Sequence, residues 1–372
     1  MTASGIAGPM ALALSQAQHG LFHTAPNPRV GCVLTTPDNR VIGEGYTQQA
    51  GGPHAEIMAL RDAQARGEAT QGATAWVTLE PCSHHGRTGP CCDALIAAGI
   101  RKVVGSVADP NPLVAGEGFS RLRAAGVEVV VGPGAQESRE LNLGFFSRMI
   151  RQAPWVRMKV AASLDGKTAL DNGVSQWITA PSARADGHAW RARACALLTG
   201  IGTVRDDNPK LDVRLVDTPR QPHLVVVDSH LETPPHARLF EPRRQVFIYA
   251  AVEDRARRDA LEARGATVIL LPDARRPAKV DLAALLADLG RREINELHIE
   301  AGQRLNGSFV REGLVDEFVA YLAPKLIGQG RDMASFGPLT DLAQAVPLTF
   351  LSAEMISPDL RIVARITGRD QF

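Results

Sequence analysis

Two short stretches in the first third of the chain carry residue types that could do chemistry together. One is His54-Ala55-Glu56; the other is Pro81-Cys82-Ser83-His84-His85-Gly86-Arg87-Thr88-Gly89-Pro90-Cys91. Zinc prefers four tetrahedral ligands, and a catalytic zinc keeps one position for water, so three protein donors of nitrogen and sulfur type are the expected count. His54, Cys82 and Cys91 supply that count. The metal would lower the pKa of the water, and Glu56, two residues from a ligand, is near enough to take its proton and return it. A purely structural zinc would take four protein ligands and would have no use for Glu56. Cys32 and Cys195, standing alone, are read as core residues.

H-x-E followed by Pro-Cys matches the signature of zinc nucleobase deaminases, but the second half of that signature spaces its cysteines by two residues. Here eight residues separate Cys82 from Cys91, so Cys92, His84 and His85 stand as alternative third ligands. Cys91 and Cys92 cannot both serve, because adjacent helical positions differ by about 100°.

The elements that would position these groups follow from the pattern. Ile57, Leu60 and Ala63 recur at helical spacing after Pro53, which puts His54 and Glu56 in a first turn. Ala73 to Leu79 reads as a strand, and Cys91 opens a second helix, whose N-terminus favours thiolate. A helix is expected over Met10–His19. Strands are expected near Val30–Leu34 and Val41–Gly45, joined as a hairpin by the turn Pro37-Asp38-Asn39, and near Lys102–Val107 and Val127–Val131, with a helix near Phe119–Ala125. This alternation predicts an α/β layer with a largely parallel sheet. Ala135–Arg151 reads as one amphipathic helix, and a boundary falls after it. Two domains are expected, 1–150 and 151–372.

Composition narrows the classes. Hydrophobic residues make up 45% of the 372 and charged residues 22%, which is ordinary for a globular protein. A net charge of +1 and 5% aromatic content give no electrostatic or stacking basis for a nucleic-acid partner. Met1–Leu14 is apolar without a basic leader, and no long apolar span follows, so no membrane partner is expected. Five cysteines, three of them clustered, predict a reducing cytoplasm rather than a disulfide framework.

In the second half, strands are expected at Trp155–Ala161, Ala196–Thr199, Leu224–Val227, Gln245–Ala250, Thr267–Leu271, Glu296–Ile299 and Glu317–Leu322. Thr179 is expected to cap a helix running to Arg193, with Pro181 in its first turn. No G-x-G-x-x-G follows a strand, and Gly200-Ile201-Gly202 is too short to argue from. A better anion cradle is Ala301–Ser308, which leaves a strand and enters a helix.

These residues reach a family. Asn27–Val33, Gly52–Glu56 and Glu80–Cys91 resemble the pyrimidine deaminase half of the bifunctional deaminase/reductase of riboflavin biosynthesis, which uses the longer cysteine spacing. Lys159–Lys167, Ser175–Thr179, Gly202–Pro209, Val227–Ser229, Glu300–Gly302 and Ala323–Gly328 resemble its reductase half. The resemblance implies an α/β chain, with an N-terminal cytidine-deaminase-like three-layer domain and a C-terminal dihydrofolate-reductase-like domain. It implies zinc on His54, Cys82 and Cys91, a proton shuttle at Glu56, and NADPH as second cofactor. Carried over by position, Ala161, Trp177, Thr203, Asp207, Ser229 and the loop Gly302, Gln303, Arg304, Leu305, Asn306, Gly307 and Ser308 would contact NADPH, with Arg304 a candidate for its 2′-phosphate. Ser175, Arg191, Leu211, Arg214 and Glu300 would contact a phosphoribosylated pyrimidine, the two arginines suiting its phosphate. Arg87 is a further phosphate candidate. Lys159, Asp207 and Glu300 would polarise C1′ and move protons. The family tends to assemble, so a homo-oligomer is expected.

Overall fold

The computed structural model describes residues 7–83, 89–112 and 115–372; His84, His85 and Arg87 lie outside the described residues. The chain divides into two compact units, Met1–Gln152 and Ala153–Phe372.

The first unit runs α1 (Pro9–His19), β1 (Gly31–Thr35), β2 (Val41–Tyr46), α2 (Ala55–Ala65), β3 (Thr74–Val77), α3 (Cys91–Ala97), β4 (Lys102–Gly105), α4 (Glu117–Ala124), β5 (Glu128–Val131), α5 (Ala135–Leu141) and α6 (Leu143–Arg151). Its sheet has the order β2-β1-β3-β4-β5. The expected hairpin of β1 and β2 is present and antiparallel, but β1 also pairs antiparallel with β3, so of a sheet expected to be largely parallel only β3-β4 and β4-β5 are parallel. A tight turn between β1 and β2 leaves no room for a crossover, which forces that hairpin to be antiparallel.

Helix α2 lies on β2 with almost no gap. A methyl group added at Gly45 would stand 2.5 Å from the Ala59 nitrogen and 2.7 Å from the Ala55 carbonyl oxygen, and one at Gly43 would overlap the Ala59 carbonyl. These two glycines, one residue apart on the same face of the strand, set the height of the helix that begins with His54 and Glu56. Across the sheet, Met10, Ala13 and Leu14 of α1 pack on Val33 and Val104.

The single helix expected over Ala135–Arg151 is broken at Asn142. That residue leaves helical geometry at φ −121° and ψ 18°, between α5 and α6. Its amide accepts from the Arg29 nitrogen at 2.7 Å and donates to the Arg29 carbonyl at 2.9 Å and to the Ser138 carbonyl at 3.1 Å. Asparagine competes for backbone partners in this way, and here it ties the helix break to the segment entering β1.

The second unit comprises β6 (Trp155–Ser163), β7 (Lys167–Leu170), α7 (Pro181–Arg193), β8 (Ala196–Gly200), α8 (Ile201–Asp207), β9 (His223–Val227), β10 (Val246–Ala250), α9 (Arg255–Glu262), β11 (Ala266–Leu270), α10 (Leu282–Arg291), β12 (Glu296–Ile299), α11 (Gln303–Arg311), β13 (Glu317–Ala323), β14 (Gly330–Asp332), β15 (Leu348–Ile356) and β16 (Asp359–Ile366). Nine strands form one sheet in the order β11-β10-β9-β8-β12-β6-β13-β16-β15. The first seven are parallel, and β16 and β15 close the sheet as an antiparallel hairpin. Ala180, not Thr179, precedes the first turn of α7, and no side chain caps it.

At the N-terminal ends of β12, β6 and β13 lies a buried ionic net. Arg157 donates to Glu317 at 2.6 Å and to Glu296 at 2.9 Å; Arg193 joins Glu296 at 2.9 Å and Arg365 joins Glu317 at 3.0 Å. Each charge is paired, as burial demands, and the net fixes α7 and β16 to the sheet's centre.

Gly45→Val is expected to destabilise the first unit by about 1–3 kcal/mol through overpacking. A lowered urea midpoint for that unit's transition checks it; an unchanged midpoint would mean that α2 can lift from β2 without cost.

Candidate active sites

In the first unit, three donors converge although they come from separate segments. His54 precedes α2 in extended geometry, Cys82 follows β3, and Cys91 is the first residue of α3. Their ligand atoms all lie within 4.8 Å of one another. His54 Nδ1 stands 3.5 Å from Cys82 Sγ and 3.3 Å from Cys91 Sγ, so Nδ1 is the nitrogen that faces both sulfurs. The Cys91 backbone N–H donates to Cys82 Sγ at 3.3 Å, a first-turn donor spent on a thiolate. Cys82 is pushed down to about 4, first by the hydrogen bond from Cys91, whose own thiol is pushed up by the same bond and by burial. One proton shared between two thiols is what a dication would displace, since metal binding takes both as thiolates.

Cys92 is placed elsewhere. Its Sγ faces the Pro81 carbonyl at 3.2 Å and the Gly118 carbonyl at 3.5 Å. The one-residue rotation along α3 thus selects Cys91. One imidazole nitrogen and two sulfurs fit zinc and leave a fourth position for water. Cys32 is wholly buried in β1 and Cys195 is buried in the second unit.

Glu56 is only 3% exposed, in the first turn of α2. Burial, then the negative charge of Cys82, pushes its carboxyl up to about 7. A carboxyl near neutrality can both accept and donate a proton. A residue with no signal of its own in the pattern holds the loop below: buried Glu80 accepts backbone N–H groups of Asp109, Gly116 and Phe119 at 3.0, 2.9 and 3.1 Å. Its place directly before Pro81-Cys82 was the only clue.

In the second unit, parallel β9, β8, β12 and β6 are neighbours, so their C-terminal ends share one edge, where such sheets bind ligands. Ser229 follows β9; Thr203 and Asp207 lie on α8 after β8; Glu300 and Gly302 follow β12; Lys159 and Ala161 lie towards the end of β6. Ile299 pairs with Met158, which sets Lys159 beside Glu300. Burial lowers the Lys159 pKa, opposed by Glu300.

Arg191 grips Glu300 with both ends of its guanidinium, Nε to Oε1 at 2.5 Å and Nη2 to Oε2 at 2.8 Å, while Nη1 donates to the Asp212 carbonyl at 2.9 Å. Despite burial, Arg191 holds the Glu300 carboxyl well below its ordinary range. Arg214 is more open; it donates to Asp212 Oδ1 at 2.6 Å and keeps half its side chain exposed. Leu211 is buried with φ 51°. Ser175 and exposed Trp177 lie between β7 and α7, with the Arg184 guanidinium 4.3 Å over the indole ring.

The stretch Gly302–Ser308 is corrected from loop to helix: Gly302 is the N-cap and Gln303 onwards is α11. Helical rotation divides the stretch. A methyl group on Gly302 would meet nothing, which leaves the helix start open, whereas Asn306 is buried and donates to the Met333 carbonyl at 2.9 Å. Gly307 lies against the Ser335 backbone, and the Gln303 amide accepts from the Asp332 nitrogen at 2.9 Å. Open backbone donors at Gly302 and Gln303 fit a phosphate of a dinucleotide.

Comparison with known proteins gives two family matches: residues 7–107 match the cytidine and deoxycytidylate deaminase zinc-binding region, and residues 154–362 match the RibD C-terminal domain. The chain is 44% identical over 365 residues to the riboflavin biosynthesis protein RibD of Escherichia coli, covering 94% of this chain and 96% of that one. It is 39% identical over 353 residues to RibD of Aquifex aeolicus, covering 95% and 96%. Among solved structures, Acinetobacter baumannii RibD superposes with a TM-score of 0.86 at 39% identity, covering 96% of this chain and 98% of that one. A Thermotoga maritima diaminohydroxyphosphoribosylaminopyrimidine deaminase/5-amino-6-(5-phosphoribosylamino)uracil reductase superposes with a TM-score of 0.84 at 32% identity, covering 96% and 97%.

Elemental analysis of purified variants separates the neighbouring thiols. Cys91→Ser is expected to lose stoichiometric zinc and Cys92→Ser to retain it; zinc lost only from the Cys92 variant would reverse the assignment.

Proposed function

The chain belongs to the RibD family, whose members are bifunctional proteins of riboflavin biosynthesis with a zinc-binding deaminase domain and a reductase domain, and from that premise we propose which residues perform each reaction and on what. The substrate of the first unit is a diaminohydroxypyrimidine bearing a phosphoribosylamino group, the compound named for the Thermotoga maritima relative. The convergence of His54 Nδ1 with two sulfurs, beside buried Glu56, is the observation that carries this reading.

His54, Cys82 and Cys91 hold the zinc. Bound there, zinc supplies a Lewis acid that makes water nucleophilic near neutral pH. Glu56 takes a proton from the attacking water and passes it to the departing ammonia. Its burial supports that double role, since it keeps the carboxyl from being fixed as a solvated anion.

In the second unit, NADPH, when bound, would supply the hydride for reduction at C1′ that turns the ribosyl side chain into ribityl. The helix start at Gly302 and Gln303, together with Thr203 and Ser229, faces the cofactor. Ala161, Trp177, Asp207, Arg304, Leu305, Asn306, Gly307 and Ser308 complete the proposed set by resemblance, although the Asn306 Nδ2 is spent on the Met333 carbonyl. Arg191 orients Glu300, and Glu300 contacts the substrate with Ser175 and Leu211. Arg214, with its open face, takes the phosphate. Lys159 lies beside Glu300 and, with Asp207, is a candidate to supply the proton that the ring oxygen needs on opening. Lowering of the Lys159 pKa by burial favours release of that proton.

The functional molecule is a homo-oligomer. Edge strand β15 exposes Phe350 at 72% and Met355 at 66%, and an edge of that length with uncovered apolar side chains is one that a further copy can cover. A cytoplasmic setting agrees with the five cysteines, all free, and no helix among the described residues is long and apolar enough to cross a membrane.

Glu56→Gln is expected to reduce deamination by roughly 10²–10⁴-fold, while NADPH oxidation with supplied deaminated intermediate stays intact. Loss of both activities in a folded variant would contradict separate sites. Phe350→Lys combined with Met355→Glu is expected to shift the sedimentation coefficient to that of a monomer; an unchanged oligomer would place the interface elsewhere.

A further inference from the structure

Between α8 and β9, residues Lys210–Arg214 form neither helix nor strand, yet each has a backbone polar group held by a side chain from another segment. Arg244 donates through Nη2 to the Lys210 carbonyl and through Nη1 to the Leu211 carbonyl. Arg191 donates to the Asp212 carbonyl at 2.9 Å. The Gln221 amide accepts from the Val213 nitrogen at 2.7 Å and donates to the Val213 carbonyl at 2.9 Å. His188 Nδ1 accepts from the Arg214 nitrogen at 3.3 Å.

Arg244 is the unusual member. It sits just before β10, also donates to the Leu239 carbonyl at 3.4 Å, and bonds only to carbonyl oxygens among the described residues. Burying a guanidinium with no carboxylate in contact is costly and lowers its pKa to about 10, still a cation at neutral pH. Its planar fork can bond two successive carbonyls at once, which a lysine cannot. The two carbonyls it grips flank the left-handed turn at Leu211, φ 51°, a conformation that a bulky residue does not hold unaided.

We propose that Arg244 is a positioning residue for the reductase reaction: by clamping the Lys210 and Leu211 carbonyls it fixes the turn that presents the Leu211 backbone and Arg214 to the phosphorylated substrate. This rests on the reading of that strip as the substrate's phosphate side. Arg244 acts through the strip's backbone, and its charge adds to the field of Arg191 and Arg214 at the site of an incoming dianion. The effect is on substrate capture, not on hydride transfer, because Arg244 reaches neither Glu300 nor Lys159 by any hydrogen bond among the described residues.

The test is steady-state kinetics of the full-length enzyme with deaminated, phosphorylated intermediate and NADPH, for Arg244→Gln, Arg244→Lys, Gln221→Ala and Arg214→Gln. Arg244→Gln is expected to raise KM for the intermediate at least tenfold, with kcat and the NADPH KM within twofold and deamination unchanged. Arg244→Lys, keeping the charge but losing the fork, and Gln221→Ala are expected to raise it three- to tenfold. Should Arg244→Gln fail to fold, those two variants carry the test. The proposal is overturned if the folded variants keep KM within twofold, or if kcat falls while both KM values rise together, as a general structural lesion would give. Arg214→Gln separates the two layers. A raised KM there beside unaffected Arg244 variants rejects the clamp alone; an unaffected KM there beside raised values in the Arg244 variants rejects the phosphate role of Arg214 and keeps the clamp acting through Leu211.

Discussion

The backbone of α2 rests directly on β2, and that contact sets the geometry of the candidate metal centre. Two glycine positions on the strand remove the side chains that would otherwise separate helix from sheet, so the Ala55 and Ala59 backbone atoms approach it closely. His54 and Glu56 inherit their depth from this approach. With the helix held low, the imidazole reaches the level of the two thiols, and the carboxyl is drawn out of water beside them. The cysteine side is held independently, with Glu80, two residues before Cys82, bonded to the backbone of the segment that leads from β4 into α4, and the first N–H of α3 bonded to Cys82. Two separately held pieces thus meet at one point, with the three donor atoms already within 4.8 Å of one another.

The second unit positions its groups by charge. Seven parallel strands bring four strand ends to one edge, and the Arg191–Glu300 pair crosses from α7 to the end of β12. At the opposite edge the net around Arg157 holds α7 by Arg193, two residues from Arg191 on the same helix. The helix is therefore tied at one end of the sheet by a closed set of charges and offers its other polar group to the site. At both places each buried charge has an opposite partner, which offsets its desolvation.

Much of the metal centre was legible because its ligands are rare residue types at fixed spacing. His54, Cys82 and Cys91 are brought together, with Glu56 two residues from His54; the residue pattern left Cys92 open, the family resemblance pointed to Cys91, and the orientation of α3 turns Cys92 away. The continuous apolar run Val246–Ala250 and the alternating Glu296–Ile299 both lay close to their expected bounds. The C-terminal hairpin was missed because its outer strand is apolar on the exposed face and carries a register shift between Phe350 and Ser352, which erases the two-residue alternation. Asn142, inside an otherwise helical pattern, gave no sign that its amide would be spent on Arg29, 113 residues away. Clamps such as Arg244 on Leu211 have no sequence signature, since one partner is a backbone carbonyl.

X-ray absorption at the zinc edge of the purified full-length protein tests the central claim most directly. One imidazole nitrogen and one further light-atom ligand at about 2.0–2.1 Å, with two sulfurs at about 2.3 Å, are predicted for a catalytic centre built on His54, Cys82 and Cys91. Four protein donors with no exchangeable light atom, or fewer than two sulfurs, would contradict it.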